Sequence, residues 1–132
     1  MMDDLVQWFG EQLDEDQRLV TEACDAEFCK DGRWVAKGPF EDNLGSLHSE
    51  ANEALLGEEE SVPFAIAAHI AEHDPARVVR EIEAKRQLVT LHSEGASELF
   101  CSNCEHEPPC PTLRLLALPY ADRPGYREKW RP

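Results

Sequence analysis

Apolar residues recur every three or four positions near the start of the chain, as they do on one face of an α-helix. Asp and Glu alternate with them, and Asp3 and Asp4 suit the positive N-terminal end of a helix. The pattern therefore predicts an amphipathic helix over residues 3–23. Its apolar positions are Leu5, Val6, Trp8, Phe9, Leu13, Leu19, Val20 and Ala23.

A turn signal and an acidic stretch follow this helix. Asp31-Gly32 lies between two short apolar segments, and Asp-Gly favours a two-residue hairpin turn because both central residues take positive φ. We expect a hairpin over residues 26–37 that ends at Gly38-Pro39. Residues 38–60 should form an acidic loop, because positions 41–60 hold seven carboxylates and no Lys or Arg.

Two helices are predicted over residues 61–94, with a break at residues 74–75. The first contains the apolar run FAIAAHIAEH and tolerates Pro63 in its first turn. Asp74 is a good N-cap and Pro75 suits the first position of the next helix. The chain should therefore stop one helix and start another at Asp74-Pro75.

The C-terminal third combines a loop with a short helix. Residues 95–110 show no helical or strand period and hold three of the five cysteines, which indicates a loop. Residues 111–132 should form a short apolar helix opened by Pro111 and a tail rich in Pro and Gly. We expect Tyr120, Tyr126 and Trp130 to hold that tail against the body.

The spacing Cys101-x2-Cys104-x5-Cys110 is typical of a zinc site. A C-x2-C turn directs two thiolates at one point, and the third cysteine can complete three of four tetrahedral positions. Our first choice for the fourth ligand is His92, at the end of the predicted third helix, and the alternative is His106. Reduced thiols in a mobile loop and a disulfide remain open, although an odd number of cysteines argues against a disulfide framework.

Such a site would be structural. Four protein ligands leave no position for water or substrate, so one Zn²⁺ per chain would stabilise a polar loop that lacks its own apolar core. The predicted fold class is thus mainly α with a small β-hairpin (α+β). We expect a single domain over residues 1–132, a small helical domain whose zinc-stabilised loop precedes the C-terminal helix.

Two further motifs have simpler interpretations. Cys24 and Cys29, separated by four residues, are typical of small buried apolar side chains, with a redox pair or an accessory metal site as the alternative. His69, Glu72 and His73 match H-x-x-E-H, in which two histidines bind zinc and the glutamate activates water. The helix ends directly after the second histidine with no evident third ligand, so histidines at a negative helix C-terminus are the commoner arrangement.

The charge balance limits the possible partners. The chain has 27 acidic and 13 basic residues, a net charge of -14, which argues against direct binding to nucleic acid or an anionic membrane. The acidic residues are concentrated in residues 1–60, which hold 17 Asp and Glu against 4 Lys and Arg. No apolar run approaches a membrane span and the start lacks a signal-peptide pattern, so we expect a cytoplasmic protein.

Three segments resemble a family of small uncharacterised proteins of actinobacteria and their phages, DUF6221. They are MDDLVQWFGEQLDED, HIAEHDPARVVREIEAKRQLVTLH and CPTLRLLALPYADRPGYREKWRP. The resemblance implies a bacterial or phage cytoplasmic protein and no established activity. Members often have Arg where this chain has Glu72 and His where it has Arg123, which implies that the H-x-x-E-H match is accidental. Some members lack the cysteines, which fits a structural zinc better than a catalytic one.

We therefore expect a zinc-stabilised acidic protein that acts as an interaction or regulatory module, and no catalytic residues. Its partner would be a protein with a basic surface, to which the acidic N-terminal region steers it. One alternative is a nucleic-acid mimic that inhibits a nucleic-acid-binding protein. The other is a small zinc-dependent hydrolase that uses the H-x-x-E-H motif.

Overall fold

The computed structural model describes residues 2–25, 31–57, 61–94 and 100–132. It confirms the predicted α+β class, in which helices predominate over a small antiparallel sheet. The helices described are α1 (Met2–Asp25), α2 (Phe64–Glu72), α3 (Pro75–Ser93) and α4 (Pro111–Ala117). The strands described are β1 (Trp34–Lys37), β2 (Leu44–Ser49), β3 (Ala54–Leu56) and β4 (Val62–Pro63). None of the helices in these ranges is long and apolar enough to cross a membrane.

The helix boundaries follow the capping signals. Asp74 caps α3 as predicted, because its Oδ1 accepts a hydrogen bond from the backbone amide of Arg77 at 2.9 Å. Pro75 and Pro111 each occupy the first residue of a helix, where a missing amide hydrogen costs nothing. The predicted start of α2 near residue 61 is wrong, since Pro63 lies before the first turn and pairs with β2.

The chain divides into two compact units. One contains residues 1–16 and 82–132, and the other contains residues 17–81. Helices α1 and α3 each contribute residues to both. That residues 1–132 form a single domain stays a prediction.

The unit of residues 17–81 is built on strand β2. This strand pairs antiparallel with β1 from Ser46 to Ser49, with β3 at Leu47 and His48, and with β4 at Leu44 and Gly45. Helix α2 packs against β1, β2 and β4. The close approach explains Gly45, because a Cβ there would lie 2.7 Å from the carbonyl oxygen of Lys37 and 2.9 Å from the Phe64 ring.

Strand β2 overturns two predictions made for this region. The partner of β1 is β2, so Gly38-Pro39 opens the connection of a hairpin instead of ending one. The predicted acidic loop over residues 38–60 is wrong at β2 and β3, because both strands are free of carboxylates and Glu41, Asp42, Glu50 and Glu53 lie outside them. Residues 58–60 lie outside the described residues. Of the predicted hairpin over residues 26–37, positions 26–30 lie outside the described residues.

The unit of residues 1–16 and 82–132 has an apolar core from α1, α3 and α4. Its largest fully buried side chains are Leu5, Phe9, Leu13, Ile82 and Leu113, all with 1% of their surface exposed. Burial of each such side chain contributes roughly 1.5–3 kcal/mol to folding. The predicted amphipathic helix therefore buries its apolar face at Leu5, Phe9 and Leu13, whereas Leu19, predicted for the same face, is 48% exposed.

Aromatic residues attach the C-terminal tail to α1, as predicted. Trp8 contacts Tyr126 and Trp130, with ring centroids 5.5 Å apart in both pairs. The Trp8 Nε1 donates a hydrogen bond to the carbonyl oxygen of Pro124 at 2.9 Å. Gly125 is required at this turn, because its φ is +90° and a Cβ would lie 2.8 Å from Trp8 Nε1.

Ion pairs in the same unit join N-terminal acids to C-terminal arginines. Asp4 pairs with Arg127 at 2.8 Å, Asp14 with Arg86 at 3.0 Å, and Asp16 with Arg123 at 2.6 Å. The uneven charge of the sequence thus has a structural use. These contacts pair three N-terminal carboxylates with arginines, and only the Asp16 pair is largely shielded from solvent.

Candidate metal centre

The predicted ligand residues come from two elements and the loop between them. His92 lies in the last turn of α3, whereas Cys101 and Cys104 lie in the irregular loop over residues 100–110. Cys110 is the residue that precedes α4. Three consecutive parts of the chain therefore contribute to one cluster.

Side chains of the loop bond to the carbonyl end of α3. Ser102 Oγ donates to the carbonyl oxygen of Glu94 at 3.2 Å, and Asn103 Nδ2 donates to that of Leu91 at 3.4 Å. The Cys101 thiol donates to the carbonyl oxygen of His92 at 3.5 Å. The last carbonyls of a helix have no partner within the helix, so the polar loop caps α3 and brings its cysteines to His92.

The loop also closes on itself around Cys101. The amide of Cys101 donates to the carbonyl oxygen of His106 at 2.6 Å, and the amide of Glu105 donates to the carbonyl oxygen of Cys101 at 2.8 Å. Glu105 takes a positive φ of 59° at this turn. The result is a tight turn that places the thiols of Cys101 and Cys104 on the same side.

Four ligand atoms converge in this cluster. One side-chain ligand atom each from His92, Cys101, Cys104 and Cys110 lies within 4.8 Å of all the others. His92 Nδ1 is 3.5 Å from the sulfur of Cys101 and also 3.5 Å from that of Cys110. A tetrahedral zinc ion, with sulfur at about 2.3 Å and nitrogen at about 2.0–2.1 Å, separates those two ligand atoms by about 3.6 Å. The spacing fits the shell of a metal ion.

Burial and hydrogen bonding perturb two of the thiols in opposite directions. Burial would raise the pKa of Cys101, but backbone hydrogen bonds from Cys104 and Asn103, together with the His92 side chain, lower it to about 6. Burial raises the pKa of Cys110 to about 11, and the neighbouring Cys104 and Cys101 add to the rise. Thiols this close cannot all ionise without a compensating positive charge.

The surrounding sequence supplies no such charge. No Lys or Arg occurs between Arg86 and Arg114, and Arg114 is bonded to the carbonyl oxygens of Pro109 and Lys129 at 2.8 Å. The carbonyl end of α3 adds partial negative charge. A divalent cation bound by the four ligand atoms would compensate the negative charge of the thiolates and the partial negative charge at the end of α3.

Of the two histidines considered for the fourth position, the structure groups His92 with the three cysteines. His92 belongs to the cluster, whereas His106 is exposed and directs its Nδ1 to the carbonyl oxygen of Cys104 at 2.7 Å. Both are close to the cysteines in sequence, so only the docking of the loop on α3 distinguishes them. No disulfide joins Cys101, Cys104 and Cys110 to one another. Cys29, and with it the Cys24/Cys29 pair, lies outside the described residues.

Among the described residues, the H-x-x-E-H motif does not belong to a group of three or more side chains that could hold a metal ion. Its glutamate, Glu72, pairs with Arg77 Nη1 at 3.2 Å, so its carboxylate is engaged away from the histidines. Within the described ranges, His92 and the three cysteines are the one group of three or more His, Cys, Asp or Glu residues arranged to hold a metal. In the described ranges, no third ligand of the kind that a zinc hydrolase needs lies beside His69 and His73.

The sequence patterns did not indicate a contact between a serine and a histidine in β2. Ser46 and His48 are two residues apart on one face of the strand, and Ser46 Oγ lies 2.8 Å from His48 Nε2. Ser46 is 5% exposed, and the buried His48 Nδ1 has no partner among the described residues. A nucleophilic serine needs access for substrate and an oriented base, so this pair is a buried polar contact. The alternation of strand residues is the signal that could have found it.

Comparison with known families identifies the chain. The family model described as "Family of unknown function (DUF6221)" matches residues 2–132. The chain belongs to the DUF6221 family. The match confirms the resemblance and extends it over residues 24–60, which none of the three resembling segments includes. No curated protein and no solved structure matches this DUF6221 protein.

Proposed function

We propose that this DUF6221 protein is a zinc-stabilised interaction module. One Zn²⁺ per chain would be bound by Cys101, Cys104, Cys110 and His92. The observation that supports this most strongly is the convergence of four ligand atoms within 4.8 Å, two of them on cysteines with no exposed surface.

The donor set favours zinc over other common cations. Calcium and magnesium prefer oxygen ligands, whereas three thiolates and one imidazole suit a borderline-soft ion with tetrahedral geometry. Thiolate ligands also require that the cysteines stay reduced, as they do in a cytoplasm. We therefore place the protein in a bacterial or phage-infected cytoplasm, in agreement with the organisms that the sequence resemblance implies.

The role of the zinc would be structural. Four protein ligands leave no open position for water, and Cys101 and Cys110 are buried. The ion would replace the apolar core that the loop over residues 100–110 lacks, and its binding free energy would add to the stability of the folded state.

The ligand assignment is tested by a matched pair of variants, His92→Ala and His106→Ala. Both remove an imidazole near the loop, but only His92 is in the cluster. We expect protein purified without added metal to hold one zinc per chain in the wild type and in His106→Ala. In His92→Ala the zinc should bind roughly tenfold more weakly or be lost. Elemental analysis checks this, and equal zinc in both variants would contradict the assignment.

The interaction role is supported by the acidic surface. The chain has 27 acidic and 13 basic residues, so 14 carboxylates remain in excess even when every Lys and Arg pairs with one. The remaining carboxylates would attract a protein with a basic surface and speed its association. The loop over residues 100–110, with zinc bound, would keep the unit of residues 1–16 and 82–132 folded while that partner binds.

Salt dependence tests the interaction role. Immobilised wild-type protein should retain basic proteins from a bacterial extract at low ionic strength and release them at about 0.5 M salt, where screening is strong. A variant in which the exposed N-terminal residues Glu11, Glu41 and Glu53 are changed to Gln should retain less of them. Retained proteins that are no more basic than those on a blank support would contradict the proposal.

A further inference from the structure

His69 and His73 are a pair of adjacent imidazoles that shares no residue with the cysteine cluster. They lie four residues apart at the C-terminal end of α2, where His73 is the capping residue, and both are exposed. Residues at this spacing are neighbours on one face of a helix. Their ring centroids are 4.5 Å apart with 37° between the ring planes, so the two imidazoles already lie side by side.

A backbone hydrogen bond fixes the tautomer of His73. Its Nδ1 lies 2.9 Å from the carbonyl oxygen of His69. Because a carbonyl oxygen only accepts, Nδ1 must carry the proton, and the lone pair of the neutral ring is on Nε2. Histidine ligands in metal sites are commonly oriented by donation from the other ring nitrogen to a backbone carbonyl. His73 is therefore arranged to coordinate through Nε2.

The neighbouring carboxylate does not complete a larger site. Glu72 is 75% exposed and pairs with Arg77. In the part of the chain that the structure describes, no further His, Cys, Asp or Glu joins the two histidines in a group that could hold a metal. An ion bound there would have two protein ligands, and its other positions would be open to water or an external donor.

The chemistry of two imidazoles selects the class of ion. Metal–nitrogen distances of about 2.0–2.1 Å place two ligand nitrogens of one ion about 3 Å apart, which neighbouring rings at 4.5 Å can reach by side-chain rotation. Imidazole ligands suit Cu²⁺, Ni²⁺ and Zn²⁺, whereas Ca²⁺ and Mg²⁺ prefer oxygen. We propose that His69 and His73 form an open, exchangeable site for a divalent transition-metal ion of this class.

Ni²⁺ is the probe, because it binds imidazole without oxidising thiols. We would titrate it into the zinc-loaded full chain and follow the ring signals of all five histidines by nuclear magnetic resonance. Paramagnetic broadening should appear first at His69 and His73. Since the second imidazole binds intramolecularly once the first is bound, His69→Ala and His73→Ala should each weaken Ni²⁺ binding roughly a hundredfold.

Matched controls separate this site from other histidines. His106→Ala removes an exposed but isolated imidazole, and Glu72→Gln removes the intervening charge; both should bind Ni²⁺ as the wild type does. Circular dichroism should show unchanged helix content in each variant, since the replaced side chains are exposed. Broadening that begins at His92 or His106, unchanged affinity in His73→Ala, or weaker binding in Glu72→Gln would overturn the two-imidazole site.

Discussion

Asp16 shows how a single side chain can stabilise the unit of residues 1–16 and 82–132. Its Oδ2 accepts a hydrogen bond from the Tyr120 hydroxyl at 2.7 Å, and its Oδ1 accepts one from Arg123 at 2.6 Å. Lys85 donates in turn to the Tyr120 hydroxyl at 3.1 Å. Because the Asp16 side chain is only 17% exposed, these bonds are shielded from water and each partner depends on the others.

Replacement of Asp16 by Ala should therefore cost far more than the same change at Asp14. Asp14 is 75% exposed and makes a surface pair with Arg86. We expect Asp16→Ala to reduce the free energy of unfolding by about 2 kcal/mol and Asp14→Ala by less than about 0.5 kcal/mol. Both sites lie on α1, so the gain in helix propensity cancels in the comparison. Urea denaturation measures both, and equal losses would refute the role given to Asp16.

The chemistry of single residues could be predicted where their spacing along the sequence is typical of a site or a helix cap. The C-x2-C pattern with Cys110 identified three members of the cluster, and Asp74-Pro75 identified the start of α3. The Tyr120, Asp16 and Lys85 contacts could not be predicted, because they join residues up to 104 positions apart. Such contacts depend on packing, which no local pattern specifies.

At the scale of elements, the loop over residues 100–110 and helix α3 depend on each other. The loop satisfies the carbonyls of Leu91, His92 and Glu94, and the helix supplies His92 to the cluster. Bound zinc would stabilise the loop and the end of α3 by holding the cysteine thiolates close to the imidazole of His92. Loss of the metal should thus release the loop and the last turn of α3 together.

Hydrogen exchange tests this dependence. After removal of metal with a chelator, amides of residues 88–94 and 100–113 should exchange at least tenfold faster, because local opening costs less once zinc is gone. The amides of β2 should exchange as before, since all four ligands belong to the other unit. No change at the loop would show that the metal does not support it, and equal acceleration in β2 would contradict the local role.

The elements themselves were predictable to different degrees. Helices α1 and α3 carry periodic apolar positions and cap signals, and their predicted boundaries agree with the structure within about two residues. Helix α4 begins at Pro111 as predicted, but it ends at Ala117, before a short 3-10 helix over Leu118–Tyr120. Strand β2 was missed because its six residues lie within a strongly acidic stretch, so the average composition concealed them. Strands gain their stability from neighbours that are distant in sequence, which weakens any local signal.

At the scale of the whole molecule, charge has two uses. Three aspartates of α1 pair with arginines of the same unit, and the excess of 27 acidic over 13 basic residues gives the chain its net charge of -14. The sequence predicted the total charge and its uneven distribution. It did not indicate the ion pairs, because the two partners of each pair are at least 72 residues apart.

The central claim is a closed zinc site with three sulfur ligands and one nitrogen ligand. X-ray absorption at the zinc edge of protein purified without added metal measures that shell directly. We expect one zinc per chain with three sulfur atoms at about 2.3 Å and one nitrogen atom at about 2.0–2.1 Å. Absence of zinc, or a shell in which oxygen replaces the sulfur atoms, would contradict the claim.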